Sequence, residues 1–464
     1  MLPTDFYNKL KEKQSHFNNE TFNSNIVINS HDVDGIKFLK FFNCVFDRKL
    51  NIRNISSNLR SISFVNCSFK YDVEIKDCSL FNLEFTGLKE AKSLTLHNIN
   101  LNELKINSQV ELNTDIFFFG NVKHLVNLSR LKINTGIFKA SINAYNLQNN
   151  FYPEANFDNS IFYDFELGGN LGKFYCKNTN ILNSALFADW ESDKAYFNNS
   201  NFGPIVKFNA CIFNSIVSFK DCRNLLETNF FLQICIFKGN SFFTTAAFNH
   251  FEITDTTFEA RASFDGLEVH RINFHLITFQ KGAYFDELII KDINKNKFVN
   301  TISPVEAKNL RHTLRLIKQE LQKAENKIDY HRFRSYELIA YYKELNWKWN
   351  GGFRDKIILG ATILSTGFDH SWRRALAFTL FFGLFWYSIL YRMENMGSFN
   401  PKKFEDYFNG AYRFFLVTDF YSPFENEKRI YLQNGWSGIV MIVGKIFIAF
   451  GIYEMIQAFR KFKA

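Results

Sequence analysis

The chain has 7 cysteines but no Cys-x-x-Cys pair, and none of its Cys–His spacings matches a zinc site. That excludes the common small zinc modules. It has no phosphate-binding glycine loop, no GxSxG, no HExxH and no dinucleotide fingerprint, and its 10 histidines are scattered. A non-enzyme with no cofactor and no bound metal is therefore expected. The opening residues MLPTDFYNKLKEKQSHF contain no apolar core of a secretion signal, so both termini and the large body between them are expected in the cytoplasm. Mean hydropathy is slightly polar at −0.18, which excludes a polytopic transporter. Proline is scarce, with 6 residues in 464. Residues 1–300 carry no charge excess, with 31 basic and 31 acidic side chains. Of the totals of 55 and 46, this leaves 24 basic and 15 acidic residues in 301–464. The positive excess thus belongs to the last third, where it suits anionic lipid headgroups at least as well as nucleic acid.

Phenylalanine is abundant, at 57 residues, and much of it recurs every five positions. Phe41 and Phe46 are five apart, as are Phe64 and Phe69, Phe197 and Phe202, and Phe208 and Phe213. Ile75, Leu80 and Phe85 keep the step, and the longest runs are Phe243–Phe248–Ile253–Phe258 and Phe264–Val269–Phe274–Phe279. A period of five fits neither a strand nor a helix. It fits a coil with four flat sides of five residues, in which one large residue per side points inward and stacks on the next turn. Two places before the large residue stands a small one: Cys44, Cys67, Cys78, Cys211, Cys235, Ala246, Thr256, Ala262 or Ala283. These two linked positions resemble the pentapeptide-repeat family, which implies a right-handed quadrilateral β-helix over about 21–300, behind a helical cap at 1–20. The register is clear at 197–290 and broken at 90–190, where irregular turns or an inserted loop are expected. Five of the cysteines fall on the small inward position, so they read as buried thiols.

After residue 300 the period becomes helical. Ser303, Pro304 and Glu306 form a capping box with proline at the first helical position. Leu310, Leu314, Ile317 and Leu321 follow, and a second helix carries Phe333, Tyr336, Leu338, Tyr341 and Leu345. This hairpin bears Arg311, Arg315, Lys318, Arg332 and Arg334. They read either as a salt-bridged connector or as a surface for an anionic ligand such as a nucleotide or oligonucleotide, with Tyr330, Phe333 and Tyr336 available for stacking. Residues 354–364 suit an interfacial helix, and 365–372 an elbow closing a connector of 301–372.

The last part, 373–464, holds two apolar runs, 375–391 and 436–456, each long enough to cross about 30 Å of hydrocarbon. Trp372, Arg373, Arg374, Tyr391, Arg392, Trp436 and Arg460 anchor their ends. Between them, 404–423 reads either as a re-entrant segment, a pore helix and then Thr418, Asp419, Phe420 and Tyr421 at a constriction, or as an interfacial helix in the loop of a two-helix anchor. Both glycines of a potassium filter are missing, which argues against carbonyl selectivity. In a ring of subunits Asp419 would instead give a ring of carboxylates favouring cations, and the alternative for Asp419 is a helix-end or surface carboxylate. Lys445 sits in the middle of the second run, where a charge normally faces protein or water. It either lines the pore, favouring anions, or pairs with Asp419. Gly438, Gly444 and Gly451 would allow close helix packing or a hinge.

The whole resembles a bacterial pentapeptide-repeat protein joined to a two-span, pore-loop channel domain. That resemblance implies a gated homo-oligomer, with a tetramer favoured, in the inner membrane among lipid. Resemblance to membrane effectors of anti-phage systems adds a depolarising role. Two rivals stand beside it. One is a membrane-tethered scaffold whose solenoid binds a protein partner. The other is a DNA-mimicking pentapeptide-repeat protein, which the neutral first 300 residues and the two spans argue against.

Overall fold

The computed structural model describes residues 1–55, 59–108, 110–128, 131, 133–135, 137–144, 154–294, 303–347, 352–368, 371–394, 404–419, 421–424, 432 and 435–460. The chain divides into two compact units, Met1–Phe298 and Val299–Ala464.

Met1–Phe298 is a parallel-strand solenoid of about 12 turns. Parallel pairing in register sets each large residue over its equivalent one turn later. Phe17 faces Phe41, Phe41 faces Phe64 and Phe64 faces Phe85. Their rings stack at 5.3, 5.0 and 4.9 Å, close to the spacing of adjacent strands. A second column runs Phe22, Phe46, Phe69 at 4.7 and 4.9 Å. Toward the other end, Phe197, Phe219, Phe243, Phe264 and Phe285 stack at 4.6 to 5.1 Å. Phe213, Phe237, Phe258 and Phe279 do the same. These rings form continuous apolar columns through the core, and their edge-to-face contacts across columns add to the packing.

Corners need left-handed backbone, and asparagine or aspartate provides it at low cost. Asn43, Asn54, Asn66, Asp77, Asn98, Asn159, Asn178 and Asn199 all have φ between 52° and 59°. Some also link turns: Asn98 donates to Asp77 at 2.6 Å and Asn43 to Asn19 at 3.2 Å. All seven cysteines are buried and unpaired. Cys44, Cys67, Cys211, Cys222 and Cys235 each direct Sγ at a backbone carbonyl of the preceding turn, at 2.9 to 3.6 Å.

The N-terminal cap is shorter than 1–20. Helix α1 spans Pro3–Lys11, and strand His16–Asn18 already belongs to the solenoid, because Phe17 and Phe22 hold the five-residue step. Phe6 closes the end of the stack, 5.0 Å from Phe17 and 5.3 Å from Phe22. Through 90–190 the solenoid continues on longer strands, Ser93–Ser108, Asp115–Asn127, Ile161–Tyr175 and Asn180–Tyr196. Register shifts interrupt them after His97 and Leu167. The step between paired residues is 27 from Ile137 to Asp164 but 19 from Ile161 to Asn180. The added length falls on 145–153, outside the described residues. The last strand, Ile289–Ile290, leads into the short helix α2 (Lys291–Asn294).

In the second unit, α3 (Pro304–Lys323) begins with the capping box read from Ser303 and Glu306. Asn326 caps α4 (Lys327–Glu344) by accepting from the Asp329 amide. Helix α5 covers Phe353–Thr366 and ends at Gly367, whose φ of 68° suits glycine. Then follow α6 (Trp372–Met393), α7 (Phe404–Phe415) and α8 (Gly435–Arg460). Helices α6 and α8 are long and apolar enough to span a membrane.

Candidate functional site

The amphipathic helix α7 sits against both long helices, and its contacts give its course. Near its start, Tyr407 packs 4.9 Å from Tyr387 and 5.2 Å from Tyr391, toward the end of α6. One turn on, Ala411 and Phe414 join a buried cluster with Tyr387, Leu390, Met441 and Ile448. At its end, Phe415 covers Gly383 and Phe414 covers Gly444. Gly383 lies at the middle of α6, about 16 Å along a helix of that length. The chain then turns, the Asp419 amide donating to Leu416 O at 3.1 Å. It comes back with Phe424 beside Tyr387 and Tyr391, at 6.0 and 5.9 Å. The segment therefore runs in to mid-helix level and out again on the same side. Its helical part stops at Phe415, before Val417.

Lys445 meets that turn. Its side chain is buried, and Nζ donates to Leu416 O at 2.7 Å and also to the backbone oxygen of Asp419. The Phe414 ring lies 5.9 Å from Nζ. Beside the two partners expected for this lysine, a pore lumen and the Asp419 carboxylate, the geometry supplies a third: two backbone carbonyls of the turn that follows α7. The Asp419 carboxylate points elsewhere. One oxygen accepts from the Tyr421 amide at 3.0 Å, and the other lies 3.8 Å from Arg413 Nε. Thr418 and Tyr421 are exposed, Tyr421 at 69%. Phe420 lies outside the described residues.

The three glycines differ. Cβ atoms on Gly444 and Gly451 would collide with Phe414 and Thr379, whereas at Gly438 nothing lies within 4 Å. Gly444 and Gly451 thus sit at helix contacts and Gly438 faces open space.

The basic hairpin carries its own counter-charges. Arg311 meets Glu344 at 2.7 Å, Arg315 and Lys318 both meet Glu337, and Arg332 meets Asp329 at 2.9 Å. Arg334 is exposed. Burial opposes ionisation of Glu337, but hydrogen bonds from Lys318 and Arg315 outweigh it and hold its carboxyl below the ordinary range. The hairpin is also tied to α5. Lys356 is buried, donates to Leu345 O at 2.5 Å and lies over the Tyr342 and Trp347 rings, while Tyr341 donates to Asp355 at 2.9 Å. Burial, with help from Lys343, pulls the Lys356 amine below its usual value. Ile357, Ile358 and Leu364 point out of α5 into solvent.

On the solenoid, exposed Phe38 and Phe81 flank a depression of about 660 Å³ lined also by Arg60, Asn100 and Asn102. Several of its surface carboxylates are paired between turns, as in Lys49–Asp72, Arg53–Glu74, Lys70–Asp47 and Lys105–Glu84. Among the described residues no group of His, Cys, Asp and Glu side chains has the geometry to hold a metal ion. Compared with known proteins, the chain matches no family model, no curated sequence and no solved structure.

Proposed function

We propose that the chain is the subunit of an oligomeric ion channel in a bacterial inner membrane, with the solenoid and both termini cytoplasmic. The observation that carries this reading is the course of α7 and the turn after it. Non-helical backbone at the depth of Gly383 and Gly444 is tolerated in hydrocarbon only when protein covers it or water reaches it. One protomer leaves Thr418 and Tyr421 exposed there. Neighbouring subunits around an aqueous path supply both conditions, and a tetramer is the closure we favour. A plain two-helix anchor has no use for a polar turn at that level, nor for a lysine beside it.

The solenoid then serves as the sensor for a ligand or partner. The Lys356 and Tyr341 links make α4 and α5 move together, and the outward apolar face of α5 suits the lipid interface. Opening on a cytoplasmic signal would depolarise the cell, as an anti-phage effector does.

The test is electrical. Full-length protein in planar bilayers should give discrete current steps, and Thr418→Cys should react with a water-soluble thiol reagent and alter them. Silence from intact oligomers, together with an unreactive Cys at 418, overturns the reading. The depression beside Phe38 and Phe81 then favours the tethered scaffold, with a partner docked on the solenoid. The between-turn ion pairs leave mixed charge on the surface, unlike the acidic face a DNA mimic needs.

A further inference from the structure

We propose that the Lys445 ammonium is a tethered cation occupying the carbonyl site at the end of α7, and that it makes the path through the membrane unit prefer small anions over cations. The proposal rests on the channel reading and assigns its charge preference.

The site is built as a cation site. Two backbone oxygens, Leu416 O and Asp419 O, converge on one point in the turn that follows the last helical residue, Phe415, and the face of Phe414 closes one side. Backbone carbonyl oxygens of such a turn carry partial negative charge, and an aromatic face attracts cations. In a re-entrant segment these are the groups that would take a permeating cation in place of its hydration shell. Here the chain's own ammonium holds them. It is 4% exposed, so a cation arriving at this level meets satisfied carbonyls and a fixed positive charge in a medium that screens it weakly.

Two other charged side chains meet at the turn, Asp419 and Arg413. The Asp419 carboxylate faces the Tyr421 amide and Arg413, so it is balanced locally. Arg413 and Lys445 together outnumber it. A ring of subunits multiplies that excess. Lys445 acts as a specificity-determining residue through its charge, without needing to project into the lumen.

The experiment is a reversal-potential measurement on the reconstituted full-length protein under a KCl gradient. Wild type should prefer chloride over potassium. Lys445→Arg should keep that preference, and Lys445→Gln should lower the chloride-to-potassium permeability ratio by about tenfold, the scale expected for removing one weakly screened charge. Retained oligomer size checks that the variants fold. If Lys445→Gln does not assemble, the wild-type measurement still decides. A potassium-preferring wild type, or a Gln variant with an unchanged ratio, overturns this proposal and leaves the channel standing. A wild type silent as intact oligomers overturns the channel reading and this proposal with it.

Discussion

A methyl group on Gly444 would lie 2.5 Å from Cζ of Phe414 and 2.9 Å from Cβ of Trp386. The bare α-carbon is what allows α7 to approach α8. Both neighbours are held, Phe414 in a buried cluster and Trp386 on α6, so they cannot yield cheaply. Gly444→Ala should therefore release α7: lower the melting temperature in detergent and speed hydrogen exchange in 404–415. Gly438→Ala is the control. Nothing lies within 4 Å of that position, and alanine favours a helix by up to about 1 kcal/mol over glycine. Equal melting shifts in the two variants would contradict the packing account.

In the solenoid the corresponding test is Phe219→Ala. Phe219 lies between Phe197 at 4.6 Å and Phe243 at 5.0 Å, with Phe208 and Phe230 edge-on at 5.4 and 5.2 Å. Truncation should cost about 3–5 kcal/mol. Because solenoid turns touch only their neighbours, faster exchange should centre on 195–245 and spare the Phe41–Phe64 turns. Uniform loosening of the whole solenoid would contradict nearest-neighbour stacking.

The fold was legible where phenylalanine marks it. At 93–108 the inward residues become Leu94, Leu96, Ile99, Leu101 and Leu104, and with the marker gone the period dissolves into apparent alternation. The first turn, Phe17–Phe22, was also readable but is short and set among polar residues. The corners carry a further signal. Asn43–Cys44, Asn66–Cys67, Asp77–Cys78 and Asp221–Cys222 repeat one pair, a left-handed corner followed by a small buried residue. The Ser303 capping box is purely local, so sequence sufficed. The partner of Lys445 is not local. It depends on where the chain turns after Phe415, and residue spacing cannot distinguish the carboxylate of Asp419 from its backbone oxygen.

The cysteines give a chemical prediction. Desolvation by burial pushes the Cys176 thiol up to about 12 and Cys78 to about 11, the latter against a hydrogen bond from the Ile55 backbone. Cys222 is raised by burial as well. At pH 8 these groups are thiols, and the thiolate is the reactive form. Native protein should leave all seven cysteines unlabelled by a disulfide-exchange reagent, and denaturant should expose all seven. Rapid labelling of Cys176 or Cys222 under native conditions would mean that the turns open or that the inward assignment is wrong.

Glu337 gives a pH dependence. It is 8% exposed and shared by Arg315 and Lys318. Burial alone would raise its pKa, but those two hydrogen bonds bring it below the ordinary value of 4.5. The unfolded chain therefore binds this proton more readily than the folded one. The stabilisation is complete above about 4.5 and disappears as pH falls through the lower folded value. Glu337→Gln should cost about 2 kcal/mol at neutral pH, the scale of hydrogen bonds to a charged group. Hydrogen exchange across 304–344 should show that deficit at pH 7 and a shrinking difference from wild type below pH 4.5. Taking the difference between variants cancels the acid response of every other carboxylate. A gap independent of pH would mean that Glu337 holds the hairpin by shape and not by charge.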